Sequence, residues 1–156
     1  MLESENSDEN GGLMRILGIS LRKNELYYAI IEGTKQFESN LIELKKTNIR
    51  DNENIPELMN WFDSNFKELI ERYRPDHIAY KLHLNTNKDQ MVYLQFPMGV
   101  LNLICNFENI PITLRSTSYI TNTRKTAVKN YFDHFKDKFK DAELDAIVAA
   151  WSILER

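Results

Sequence analysis

One stretch constrains the fold more than any other. Leu58, Trp61, Phe62, Phe66, Leu69, Ile70 and Tyr73 recur at three- and four-residue intervals, the spacing that gathers side chains on one face of a helix. Pro56 fits the first turn, where an N–H would have no intrahelical partner anyway. Arg74-Pro75-Asp76 closes the helix, because proline disfavours helical geometry in the residue before it. A helix with one apolar face must bury that face against another element, and its flanks supply a sheet. Leu13–Ser20 is a short apolar run suited to a buried strand, followed by a polar turn at Arg22–Glu25. Leu26–Ile31 resumes with aromatic and β-branched residues, Gly33-Thr34-Lys35 turns again, and Phe37–Leu44 reads as a third strand. Three strands joined by tight turns make an antiparallel meander.

After a polar linker, Lys45–Asn54, and the helix, Asp76–Leu82 reads as a fourth strand lying parallel to the first. Lys88–Asn106 is apolar nearly all round and predicts a buried helix, with Pro97 either starting it or kinking it. Pro111–Arg115 reads as a fifth strand. A last helix runs from Asp141 to Leu154 with Leu144, Ile147, Val148, Trp151 and Leu154 on its buried stripe. Hairpin strands followed by alternating helices and strands predict a mixed α/β sheet covered by helices.

Charge narrows the function classes. The chain has 20 Lys and Arg against 23 Asp and Glu, a net charge of −3, which argues against a uniformly basic nucleic-acid binder. The charge is unevenly placed. Residues 1–12 hold Glu3, Glu5, Asp8 and Glu9 with little to bury and read as a flexible acidic tail before a single domain, 13–156. Arg115–Lys140 holds Arg115, Arg124, Lys125, Lys129, Lys136, Lys138 and Lys140 against Asp133 and Asp137, a local balance of +5. Tyr119, Tyr131, Phe132, Phe135 and Phe139 are interleaved there, so this face offers DNA or RNA phosphate contacts beside stacking surfaces. A solvated amphipathic segment whose aromatics belong to the core is the competing reading.

Several chemistries are disfavoured. Cys105 is the single cysteine, so an internal disulfide and a multi-cysteine zinc site are excluded. His77, His83 and His134 show no ligand spacing. The sequence has five glycines and neither GxxxxGK[ST] nor GxGxxG, the usual phosphate-cradling loops. It contains no apolar run long enough to span a bilayer and no signal-peptide pattern, so a cytoplasmic location without membrane partners is expected.

The element order and three short segments together resemble the ribonuclease H-like superfamily, and within it the RuvC-like resolvases. The segments are Ile16-Leu17-Gly18-Ile19-Ser20, Arg74-Pro75-Asp76-His77-Ile78-Ala79-Tyr80-Lys81, and Asp141-Ala142-Glu143-Leu144-Asp145-Ala146-Ile147-Val148-Ala149-Ala150. The resemblance implies a ribonuclease H-like five-stranded sheet of order 3-2-1-4-5 with strand 2 antiparallel. It also implies a carboxylate at each of three places, holding two Mg²⁺ ions about 4 Å apart for phosphodiester hydrolysis. Carried over, those places are Ser20, Lys81 and Asp145. Asp141 lies one turn before Asp145, at a spacing of four where the family usually has three. The chain also resembles an uncharacterised bacterial branch of the superfamily that carries lysine in strand four, then a polar loop and a helix beginning near a phenylalanine. Lys81, Asn85–Asp89 and Phe96 match it, whereas that branch's glutamate after the lysine is Leu82 here.

A hydroxyl at Ser20 is a poor substitute for a bridging carboxylate, and Lys81 puts a cation where a divalent ion needs an anion. The resemblance therefore implies a catalytically degenerate RuvC-like protein binding nucleic acid or a protein partner. Its contacts would be Ser20, Arg22, Lys81, Arg124, Lys125 and Lys129, with Lys81 free to pair with Asp145 across the metal position. No cofactor is expected. The alternative is an active nuclease with Mg²⁺ or Mn²⁺ on a rearranged acid set, Asp141, Glu143 and Asp145. A third reading is a protein-interaction module, or a homodimer through the apolar helix near Pro97. For Asp141 and Asp145 the plainer reading is compensation of the helix dipole in its first turn.

Overall fold

The structure, a computed structural model, describes residues 12–49, 54–83, 86–130 and 138–156. Residues 1–11 of the proposed tail at 1–12 thus lie outside the described residues, as do Asn85, Tyr131, Phe132, Asp133, His134, Phe135, Lys136 and Asp137.

β1 (Met14–Arg22), β2 (Glu25–Lys35) and β3 (Glu38–Asn48) form the expected meander. β1 and β2 pair antiparallel from Met14↔Gly33 to Arg22↔Glu25, around a two-residue turn at Lys23-Asn24. β3 continues past the expected strand end, because β2 is long enough to keep pairing with it: Tyr28 faces Lys45 and Tyr27 faces Lys46. Lys45–Asn48 is therefore strand and not linker. Its polar side chains suit the sheet's edge, where they discourage further pairing, and Lys46 also reaches Glu25 at 2.9 Å.

α1 (Ile55–Tyr73) follows. Asn54 caps it by accepting a hydrogen bond from the Glu57 N–H, and Arg74 ends it in the left-handed conformation at φ 46°. β4 (His77–Leu82) then pairs parallel with β1, and β5 (Ile112–Ser116) pairs parallel with β4. The sheet order is β3-β2-β1-β4-β5.

The apolar segment between β4 and β5 forms two helices, α2 (Lys88–Leu94) and α3 (Phe96–Glu108), which settles the role of Pro97: it stands in the first turn of α3. The break at Gln95 is held by its side-chain amide, which donates to the His83 carbonyl at 2.8 Å and to Thr86 Oγ1 at 2.7 Å. The expectation of a buried helix fails on one side. Met98, Leu101, Ile104 and Cys105 are buried, while Phe96, Leu103 and Phe107 are exposed. α4 (Thr117–Asn130) occupies the first half of the basic stretch. α5 (Asp141–Trp151) ends three residues before the expected Leu154, which remains buried beyond the helix.

Period-2 alternation along β1 sorts the two cores. Leu17, Ile19 and Leu21 pack with α1 and α3, joined by Phe62, Phe66, Ile78 and Tyr80. Ile16 faces Ala146, Ala149, Ala150 and Trp151 of α5 on the other side of the sheet. α5 lies so close to β1 that a Cβ on Gly18 would stand 2.0 Å from the Ala146 carbonyl oxygen. Glycine is required there by the approach of two backbones. This seating brings the second turn of α5 over the ends of β1 and β4, where the candidate site lies.

Candidate functional site at the ends of β1 and β4

Ser20, Arg22 and Asp145 come together at the carboxyl end of β1, where ligands gather on parallel strands. Ser20 and Arg22 are two residues apart and project to the same face. Arg22 donates to Ser20 Oγ at 3.1 Å and to Asp145 Oδ2 at 3.0 Å. Lys81, near the end of β4, donates to the same Oδ2 at 2.8 Å. The Lys81 and Asp145 side chains are 13% and 6% exposed, so both ends of this ion pair are largely removed from water. Two cations thus share one carboxylate, and Ser20, fully buried, is satisfied through Arg22.

His83 borders the cluster and was not singled out by spacing to other histidines. The sequence signal for it is position alone: it stands one residue past the end of β4 and two beyond Lys81. Its Nε2 stands 3.0 Å from the Leu21 carbonyl oxygen, a contact that requires Nε2–H as donor. Burial, then the charges of Lys81 and Arg22, push its pKa below the usual histidine value. His83 is accordingly neutral at pH 7, and this corner carries one more positive than negative charge.

The rearranged acid set does not assemble. Asp141 is 81% exposed and receives a hydrogen bond from Arg124 at 2.8 Å; that guanidinium holds its carboxyl below the ordinary range. Glu143 turns back to accept from the Lys140 N–H at 2.8 Å, half of a capping box at the start of α5. Asp145 alone of the three enters the cluster. Among the described residues, no three His, Cys, Asp or Glu side chains lie together as metal ligands. The donors present do not fit a divalent-metal pair: a hydroxyl, an ammonium and one carboxylate already held by two cations offer no set of hard anionic oxygens.

The basic stretch is not one continuous face. Arg115 points across the sheet to Ser152, donating to its Oγ at 3.0 Å, and its guanidinium stacks 4.3 Å from the Tyr119 ring centroid. Phe139 packs against the α5 core. Arg124 is committed to Asp141, and Lys125 is exposed on α4. The Lys129 side chain lies outside the described residues.

Solved structures with this arrangement of strands and helices are found among Holliday junction resolvases. Thermus thermophilus RuvC in complex with Holliday junction substrate superposes with a TM-score of 0.67 at 13% identity, covering 89% of this chain and 91% of that one. The fold is ribonuclease H-like. The yeast mitochondrial Holliday junction resolvase superposes with a TM-score of 0.64 at 15% identity, covering 88% of this chain and 76% of that one. Residues 14–88 match the family described as Protein of unknown function (DUF3010). That span reaches from β1 to the first residue of α2 and contains Ser20, Arg22 and Lys81, but not Asp145. No curated protein matches the sequence. Among the described residues, no helix is long and apolar enough to cross a membrane.

Proposed function

We propose that this chain is a RuvC-like domain that binds nucleic acid without metal-dependent cleavage, the ammonium of Lys81 standing where the resolvase likeness would put a divalent cation. The observation that carries the reading is the 2.8 Å contact between Lys81 Nζ and Asp145 Oδ2, with Arg22 on the same oxygen. A carboxylate neutralised in this way is unavailable as a metal ligand. The positive charge left over at the corner favours an anion, and a phosphodiester is the anion that RuvC in complex with a Holliday junction substrate meets on this fold. On α4, Lys125 is exposed and Arg124 is paired with the exposed Asp141, a carboxylate that a phosphate would have to displace to reach the guanidinium.

Binding of branched DNA, single-stranded DNA and RNA, followed by fluorescence anisotropy in EDTA, tests the reading. Affinity should fall steeply with salt and weaken in the Arg124→Ala, Lys125→Ala double variant, with a salt slope shallower by about 1 per lost phosphate contact. No cleavage should appear on adding Mg²⁺ or Mn²⁺. Metal-dependent cleavage abolished by Asp145→Asn would overturn the proposal in favour of an active nuclease. Absence of binding to every substrate at low salt would overturn it in favour of a protein-interaction role.

A further inference from the structure

A cleft of about 580 Å³ opens between the C-terminal ends of α1 and α3, within the size range of small-molecule sites. It lies at the opposite end of β4 from Lys81: Pro75, in its wall, precedes the strand, and extended chain from there to Lys81 spans ~20 Å. The floor is apolar. Ile70, Pro75 and Ile104 are buried there, and Ile110 closes one side. Four charged residues rim the cleft, Lys67, Glu71 and Arg74 along one stripe of α1 and Glu108 at the end of α3.

These charges do not neutralise one another across the opening. Lys67 turns back along α1 to Asp63 at 3.1 Å. Among the described residues, Glu71, Arg74 and Glu108 enter no ion pair. Arg74 also stands where a side chain is disfavoured. At φ 46° it takes the left-handed helix-ending position that glycine usually fills, so the guanidinium is held at the mouth at a cost to the backbone. Glu108 lies in the last turn of α3, where no basic residue offsets the negative end of the helix. The cleft thus presents a cation, a negative corner reinforced by a helix end, and an apolar floor between them.

We propose that this cleft binds a small zwitterion built like an apolar amino acid, its carboxylate on Arg74, its ammonium between Glu71 and Glu108, and its side chain over Ile70 and Ile104. The charge pattern selects this class. A ligand carrying only negative charge, a nucleic-acid phosphate included, would meet both carboxylates, and an amine alone would meet Arg74. An uncharged apolar molecule would take water from the rim charges and leave them unpaired.

Amide chemical-shift titration of the full chain with L-phenylalanine and L-leucine tests this independently of nucleic-acid binding. Phenylpropionate and phenethylamine, each keeping the apolar body and one of the two charges, are the controls. The amino acids should give saturable shifts at Ile70, Arg74 and Ile104, and the controls should bind about tenfold more weakly. Arg74→Gly and Glu108→Gln should each weaken amino-acid binding about tenfold. Arg74→Gly relieves the left-handed backbone and should fold at least as stably as the wild type, so its loss of binding reports the guanidinium. No saturable binding of either amino acid into the millimolar range would overturn the proposal. So would equal binding of a control, or affinity unchanged in both variants, which would place the ligand elsewhere.

Discussion

Lys81 and Asp145 are 64 residues apart in sequence and 2.8 Å apart in space, joining the end of β4 to the second turn of α5. Arg22 at the end of β1 donates to the same carboxylate oxygen. One acid thereby ties together two strands and a helix, and the cost of removing each member differs.

Asp145→Asn leaves two cations facing each other with no anion, whereas Lys81→Met leaves Asp145 still paired with Arg22. Breaking a fully buried pair by removing one partner costs ~3–5 kcal/mol. Because Arg22 is one-third exposed and can turn towards water, Asp145→Asn should lose about 2–3 kcal/mol. Lys81→Met, an apolar replacement of similar length, should lose about 1 kcal/mol or less. Urea denaturation of the two variants measures the difference, and equal losses would show that Arg22 does not support Asp145.

Replacing Ser20 by Asp and Lys81 by Glu in one chain should convert the corner into a three-carboxylate site with Asp145. Mn²⁺ should then raise the melting temperature of the double variant in an EDTA-reversible way, by linkage of binding to the folded state. The wild type should show no such rise. An equal response of the wild type would mean that the ion pair does not occupy a metal position.

Gly18→Ala should be among the most disruptive single-methyl additions in the chain. Its Cβ would stand 2.0 Å from the Ala146 carbonyl oxygen and 2.8 Å from Ala150 Cβ. No flexible side chain can yield there, so α5 must retreat from β1. The expected loss is ~3 kcal/mol or more, at the upper end of overpacking costs. A nearly neutral result in thermal or urea unfolding would contradict so close a seating of α5.

Acid should destabilise the fold through His83 before the carboxylates titrate. Its folded-state pKa lies below the ordinary 6.5, through burial and then the neighbouring Lys81 and Arg22. Below 6.5 the unfolded chain takes up a proton that the folded chain refuses, so stability falls with pH until the depressed folded pKa is reached, and is constant above 6.5. His77 is lowered by burial and Arg115 and acts in the same direction. Denaturation midpoints at pH 7.5 and 5.5 should therefore differ, and His83→Gln should narrow the gap.

Much of the fold was legible in the sequence, because each piece of it rests on local pattern. The α1 face from Leu58 to Tyr73 is periodic, the first three strands are separated by polar turns, and Arg74-Pro75 marks a boundary that proline sterics enforce. The errors fell where local pattern competes with a partner. Lys45–Asn48 looks like a linker until β2 is there to pair with it. Lys88–Asn106 looks buried all round, yet α3 packs one face, Met98, Leu101, Ile104 and Cys105, into the core it shares with α1 and leaves Phe96, Leu103 and Phe107 exposed. At the site, the mismatch of Ser20 and Lys81 with a metal-binding pattern was readable from residue type alone. The part played by His83 was not, since it depends on Leu21 of a different strand.

The sequence by itself determined the order of the five strands, the helices at Ile55–Tyr73 and Asp141–Trp151 with their apolar faces, and the residue types standing at the ends of β1, β4 and the start of α5. Those follow from short-range periodicity and sterics. The same pattern missed the break that makes α2 and α3 two helices and the whole of α4. Only the tertiary structure decided that Arg22 and Lys81 converge on one oxygen of Asp145, that Asp141 turns out to Arg124, and that Glu143 caps its own helix. The physical reason is register. Which charges meet depends on how far α5 slides along β1, and Gly18 under Ala146 fixes that distance.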